Sequence, residues 1–138
     1  QHADVSIIEK RKNLRFYARQ GKACLFGYTG NDNTIILPGA FRGLEYSIHP
    51  YAFADYKRKC NVIIPEGVVA IGDFAFYNCE YLNSVYLPIS ITKIGEDVFS
   101  GCKNLTEVYY SGTPEDWYKI VIHQNNPSLE KIKIHCNG

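Results

Sequence analysis

Between Asn61 and Tyr110 the sequence repeats itself at a fixed period, and nothing else in the chain restricts its fold as strongly. A 23-residue slide places Val62 on Val85, Pro65 on Pro88, Ile71 on Ile94 and Gly72 on Gly95. The same slide places Phe76 on Phe99, Cys79 on Cys102 and Leu82 on Leu105, which makes seven identities in one window. One turn later Val85 falls on Val108 and Tyr86 on Tyr109, and one turn earlier Ile48 and Phe53 precede Ile71 and Phe76 at the same distance. The matched residues are small or apolar. A fixed period in the twenties builds a solenoid, because each unit buries its apolar side only by stacking on its neighbours.

Each unit has a physical reading. Val62, Ile64, Val85, Leu87, Val108 and Tyr110 alternate with other residues, the two-residue period of a half-buried strand. Pro65 and Pro88 end those strands, since proline cannot donate to a sheet ladder. A turn follows, then Ile71-Gly72-Asp73 and Ile94-Gly95-Glu96, where glycine is expected to supply a positive φ. Phe76 and Phe99 fill the coil, and Cys79 with Leu82, like Cys102 with Leu105, closes it. Strands stacked ~4.8 Å apart turn equivalent residues into ladders through the interior.

The spacing Leu82-x-x-Val85-x-Leu87 carries the leucine-rich-repeat signature. The runs from Val62 to Cys79 and from Ile94 to Leu105 resemble the BspA-like class of bacterial leucine-rich repeats. Gly27-Tyr28-Thr29-Gly30 leading into Ile35-Ile36-Leu37-Pro38 resembles the entry segment of such domains, and Tyr109 to Trp117 resembles their closing segment. The resemblance covers roughly residues 24 to 136. It implies a mainly β repeat solenoid: a leucine-rich-repeat right-handed coil of about three to four turns. An N-terminal β-hairpin cap and a C-terminal cap containing a short helix complete the expected fold. The first unit departs from the pattern. The interval from Pro38 to Phe53 is longer than that from Pro65 to Phe76, His49-Pro50 follows Ile48, and Tyr56 stands where later units have cysteine. A distorted first turn is expected there.

A length of 138 residues fits a single domain: an N-terminal segment over 1–47, repeats over 48–110 and a C-terminal cap over 111–138. A formal charge of +1 gives no electrostatic case for nucleic acid or an anionic membrane. No apolar run approaches the ~20 residues of a membrane helix. No signal peptide is visible, and the start at Gln1 fits a mature or trimmed form. Cysteines 24, 60, 79, 102 and 136 show no C-x-x-C spacing that would suggest zinc. Cys79 and Cys102, one turn apart, fall within disulfide reach, but small buried thiols in an interior ladder are the favoured reading. The odd count leaves at least one thiol free.

Val5, Ile7 and Ile8 can begin a strand or a short helix, and Lys10, Arg11 and Lys12 form a charge run that reads as a solvated face. Leu14–Ala18, Arg19–Lys22 and Ala23–Phe26 read as a β-hairpin with glycine in its loop, capping the first coil. Gly27–Asn33 is a turn cluster that lacks the ending of a phosphate-binding loop, and strand Thr34–Leu37 follows. Thr113-Pro114-Glu115-Asp116-Trp117 has a capping residue, a proline at the first helical position and acids in the first turn, so a short helix starts there. Trp117 is expected over the open end of the last coil. His123–Pro127 reads as a loop, Ser128–Glu130 as a short turn and Ile132–Ile134 as a final strand. Ile132 follows Val108 at a spacing one longer than the repeat.

Catalytic chemistry finds no support. His2, His49, His123 and His135 pair with no carboxylate or cysteine at ligand or dyad spacing, and His135 and Cys136 point to opposite faces of a strand. Asp73 and Glu96 read as one solvated turn position repeated, and Asn104-Leu-Thr106 matches a glycosylation acceptor beside a buried leucine. No cofactor or metal is implied. The family resemblance implies a secreted or cell-surface binding module, meeting a protein such as a host surface or matrix component through its exposed strand face. An accessory domain that spaces or docks other domains of a larger surface protein or enzyme is the alternative. Alternation along the strands sends Asn61, Ile63, Ser84, Tyr86, Glu107 and Tyr109 outward. Ile63, Tyr86 and Tyr109 then form one exposed column ~10 Å long. That column either anchors a protein partner, with Asn61, Ser84 and Glu107 beside it, or shields the sheet and makes a self-contact.

Overall fold

The computed structural model describes residues 6–138, so the readings placed on His2 and Val5 lie outside it. The chain winds through β3 (Lys22–Tyr28), β4 (Thr34–Ile36), β5 (Tyr46–Ile48), β6 (Cys60–Ile63), β7 (Val68–Ile71), β8 (Leu82–Leu87), β9 (Lys93–Ile94), β10 (Glu107–Tyr110), β11 (Val121–Ile122) and β12 (Lys133–His135). Alternate strands go to opposite sheets. One sheet runs β4-β6-β8-β10-β12, and the other runs β3-β5-β7-β9-β11 with β2 (Leu14–Arg19) and β1 (Ser6–Arg11) added beyond β3. Every pairing after β3 is parallel, as stacking of like turns requires. The expected mainly β solenoid is present, with five turns rather than three to four, because the chain after Tyr110 adds β11 and β12. The second sheet is not visible in the sequence: β7 and β9 follow the expected turns and β11 lies between the expected helix and loop, where no strand is read.

The interior consists of ladders. Phe53, Phe76 and Phe99 stack with centroids 5.0 and 5.6 Å apart, and Tyr28 continues the column 6.0 Å from Phe53. Val62, Ile64, Val85, Leu87, Val108 and Tyr110 are all buried, as the alternation requires. The Cys79 thiol donates to the Phe53 carbonyl and the Cys102 thiol to the Phe76 carbonyl, both at 3.0 Å, so each rung is tied to the turn before it. Cys60, Cys79 and Cys102 are buried and free. Burial pushes the Cys60 thiol up to about 11. The Cys79 thiol is also pushed up, by its contact with the Cys102 thiol and then by burial.

The glycine reading needs correction. Gly72 and Gly95 do not adopt positive φ. They are small because successive turns touch there: a side chain at Gly72 would sit 2.7 Å from the Pro50 nitrogen, and one at Gly95 2.7 Å from the Asp73 nitrogen. Positive φ falls instead at two other positions per turn, Tyr51, Phe74 and Asp97 (62°, 57°, 44°) and Asp55, Asn78 and Gly101 (63°, 60°, 79°). Asp73 is more than a solvated repeat, since its Oδ1 accepts the Glu96 backbone N–H at 2.8 Å. Glu96 in turn accepts from Asn125 Nδ2 at 2.8 Å.

The N-terminal cap is larger than the expected hairpin. β2 and β3 pair antiparallel across Gln20-Gly21, and β1 joins them across Lys12-Asn13, both at positive φ. Gly27 and Tyr28 belong to β3, not to the turn cluster. The first turn holds Ile35 opposite Val62 and Ile48 opposite Ile71, with a register shift between Tyr46 and Ser47 where the insertion ends. The insertion bridges Phe41 to Leu44 and drives Phe41 into the core at 4.5 Å from the Phe16 ring. Tyr56, in the cysteine position, sends its hydroxyl to the Gly30 carbonyl at 3.1 Å.

The helix α1 (Pro114–Tyr118) forms where expected, with a capping box between Thr113 and Asp116. Trp117 packs edge-on against Tyr110 at 5.2 Å and lines the end of the coil with Ile122, Leu129 and Ile134. A 3-10 turn, Pro127–Lys131, lengthens the last connection, so Ile134 rather than Ile132 stands opposite Val108. Asn126, the buried polar residue of this end, donates to the Gly95 and His123 carbonyls and accepts from the Val98 N–H.

Candidate protein-binding face

The outer face of the five-stranded sheet carries two columns, because the strands pair in register and side chains alternate. The first consists of Ile36, Ile63, Tyr86, Tyr109 and His135, and the second of Thr34, Asn61, Ser84, Glu107 and Lys133. All six residues placed outward by sequence alternation lie in these columns. Tyr86 is exposed, and Asn61, Ile63, Ser84, Glu107 and Tyr109 are half-buried by their neighbours. The first column is longer than the sequence indicated. Ile36 extends it at one end and His135 at the other, so five residues span ~19 Å over four inter-strand steps.

The rings lie face to face. Tyr86 and Tyr109 have centroids 4.7 Å apart at 15°, and Tyr109 and His135 4.7 Å apart at 11°. Stacked this way, the rings cover one another's faces and offer solvent their edges and hydroxyls. A sugar or a base needs an open ring face to stack on, so the column is poorly built for either. It is better suited to a protein surface that packs against ring edges and accepts from phenol groups. Within the polar column beside it Ser84 Oγ donates to Asn61 Oδ1 at 2.7 Å, and His135 Nε2 of the first column lies 2.7 Å from Glu107 Oε1 of the second. The Tyr109 hydroxyl is held above its ordinary value, first by partial desolvation and then by Glu107.

A cleft of about 400 Å3 lies at the end of these strands, walled by Ile64, Pro88, Tyr86 and Tyr109 with Glu66 on its rim. A second exposed aromatic group was missed in the sequence. Tyr51 and Phe74 stack at 5.1 Å with Tyr77 edge-on at 5.8 Å, at a corner of the coil. Its signal was that Tyr51 and Phe74 stand one full repeat apart. Among the described residues no group of three His, Cys, Asp or Glu side chains could hold a metal ion. Among them, too, no helix is long and apolar enough to cross a membrane.

The model of the BspA type leucine rich repeat region matches residues 23–137 in six copies. Three solved structures share the fold. A leucine-rich repeat protein from Bacteroides capillosus superposes with a TM-score of 0.76 at 21% identity, over 95% of this chain and 99% of that one. A leucine rich cell surface protein from Faecalibacterium prausnitzii gives 0.68 at 23% identity, over 97% of this chain. The present chain spans only 44% of that protein's length. The T. pallidum leucine rich repeat protein gives 0.61 at 20% identity, over 78% of this chain and 51% of that one. No protein with a curated description matches significantly.

Proposed function

The chain belongs to the BspA-type leucine-rich-repeat family, and from that premise we propose that it is a non-catalytic protein-binding module. The module belongs to a secreted or cell-surface bacterial protein. It meets a host surface or matrix protein through the outer face of the five-stranded sheet. The observation that carries this reading is the row of Ile36, Ile63, Tyr86, Tyr109 and His135, which leaves apolar and aromatic edges in one exposed line. Tyr86 and Tyr109 are the anchors, and Asn61, Ser84 and Glu107 supply polar contacts beside them. Tyrosine combines a large contact area with little conformational freedom to lose, which suits a binding hot spot.

The test is a panel of purified host matrix and surface proteins, read by biolayer interferometry against the wild-type chain. The Tyr86→Ala, Tyr109→Ala double variant is expected to lose more than ~2 kcal/mol, about 30-fold in Kd, with its melting temperature barely moved. Intact binding with earlier melting would assign the tyrosines to the fold. A second reading, an accessory domain that spaces other domains, is supported by the greater length of the F. prausnitzii relative. Catalytic domains flanking this segment in the full-length gene would favour it.

A further inference from the structure

The two sheets end unequally. The seven-stranded sheet continues two strands past β3, through β2 and β1, while the five-stranded sheet stops at β4. The overhang therefore has no partner layer beneath it over ~10 Å. The insertion fills one half of that gap with Phe41, stacked on Phe16 and covered by the Arg11 guanidinium at 4.7 Å. The other half is a groove of about 740 Å3, with Leu14, Tyr28, Ile35 and Leu37 in its walls.

β4 forms one side of this groove, and its backbone is half used. The Asn33 carbonyl accepts from Asn61 N–H at 2.9 Å, and Leu37 N–H donates to the Ile63 carbonyl at 3.0 Å. Bonding alternates along a strand, so the N–H and C=O groups of Thr34 and Ile36 face away from β6, into the groove. Ile36 is 66% exposed beside them. An edge that offers main-chain donors and acceptors next to an apolar trough is a template for one more strand.

We propose that the open edge of β4 accepts a short extended segment of a protein partner, about four residues long, by strand addition. Its inward side chains are apolar and alternate, so that they enter the groove between Leu14 and Leu37. It carries a carboxylate that meets Lys12 in the groove's lining. The groove's charged lining is Arg11, Lys12 and Asp32. Arg11 is bonded to Glu9, and Asp32 accepts from the Tyr28 hydroxyl at 2.7 Å. Lys12 is exposed and forms no ion pair among the described residues, which leaves one unmatched positive charge at the mouth. A second copy fits poorly. Two β4 edges joined with their cores on the same side would push both overhangs into the same space.

The test displays a random octapeptide library to the wild-type chain and measures enriched synthetic peptides by fluorescence anisotropy. Enriched peptides are expected to alternate apolar and polar residues over at least four positions and to carry Asp or Glu. Ile36→Pro removes one outward N–H, leaves the β6 ladder intact and is tolerated at an edge, so it should weaken binding at least tenfold with unchanged circular dichroism. Lys12→Glu, remote from every ladder bond of β4, should weaken the acidic peptides and gives a readout independent of the proline. Absence of enrichment, enriched peptides without alternation, or equal binding to both variants would overturn the proposal. A wild-type dimer that Ile36→Pro dissolves would overturn it too, by assigning the edge to a second copy. Ile36 also ends the tyrosine column, whereas Lys12 lies outside it, so the Lys12→Glu readout is the one that separates this edge from the tyrosine face.

Discussion

Phe76 is the middle rung of the ring ladder, 1% exposed and stacked on both sides. Truncation to alanine leaves a cavity between two rings that are fixed by their own turns and cannot close over it. Phe76→Ala should therefore cost about 3–5 kcal/mol in urea unfolding, most of the stability of so small a domain. A cost below ~1 kcal/mol would mean that the three rings are not one ladder. At this scale the residues that recur with the repeat are also the residues that pack, which is why the phenylalanines and cysteines could be placed from sequence. Asn126 could not. It occurs in one turn only, and its three hydrogen bonds depend on where a loop of the last turn comes to rest.

The clearest local element is α1, where Asp116 accepts from both the backbone N–H and the hydroxyl of Thr113 at 3.0 Å. The backbone bond, then the hydroxyl, holds the Asp116 carboxyl below its ordinary value. A depressed carboxyl stabilises the fold above the unfolded pKa, and that contribution disappears as pH falls through the folded one. Calorimetry should thus find the wild type more stable than Asp116→Asn at pH ~6, with the gap closing below pH ~3. A gap that is constant across this range would remove the charge from the cap. The capping box was legible because it is local, a run of consecutive residues that carry their own hydrogen bonds. Strands β6, β8 and β10 were legible because each is long enough to display alternation, and the same alternation exposed Asn61, Ile63, Ser84, Tyr86, Glu107 and Tyr109. β9 and β11 are too short for any period, and they exist only through the pairing of Lys93 with Val121 and Ile94 with Ile122 on the next turn. His135 escaped for a related reason. The 3-10 turn stretches the spacing from β10 to β12 past the repeat, so Val108 meets Ile134 where an undisturbed period would bring Lys131. The repeat that reveals the column no longer reaches its last member.

For the whole molecule, nearest-neighbour stacking means that an interior turn is replaceable. Excision of residues 62–84 joins Asn61 to Val85 in the register that Asn61 already shares with Ser84. Four turns and both ends remain, above the minimum of ~3 that stacking needs. The shortened chain should fold with an unchanged circular dichroism spectrum per residue, melt at a lower temperature, and lose about one sixth of its denaturant m-value, in proportion to length. A molten or aggregated product would show that the turns are not interchangeable. The same layout decides how the molecule answers a mechanical load. Every strand after β3 lies across the stacking direction, and the parallel ladders join one turn to the next. Tension between the two ends therefore opens the ladders in sequence, like a zipper, rather than shearing many bonds at once. Each turn that yields releases one repeat of chain, up to ~80 Å of slack in place of a ~5 Å step, so the domain lengthens in small, separate events and its remaining turns keep their form.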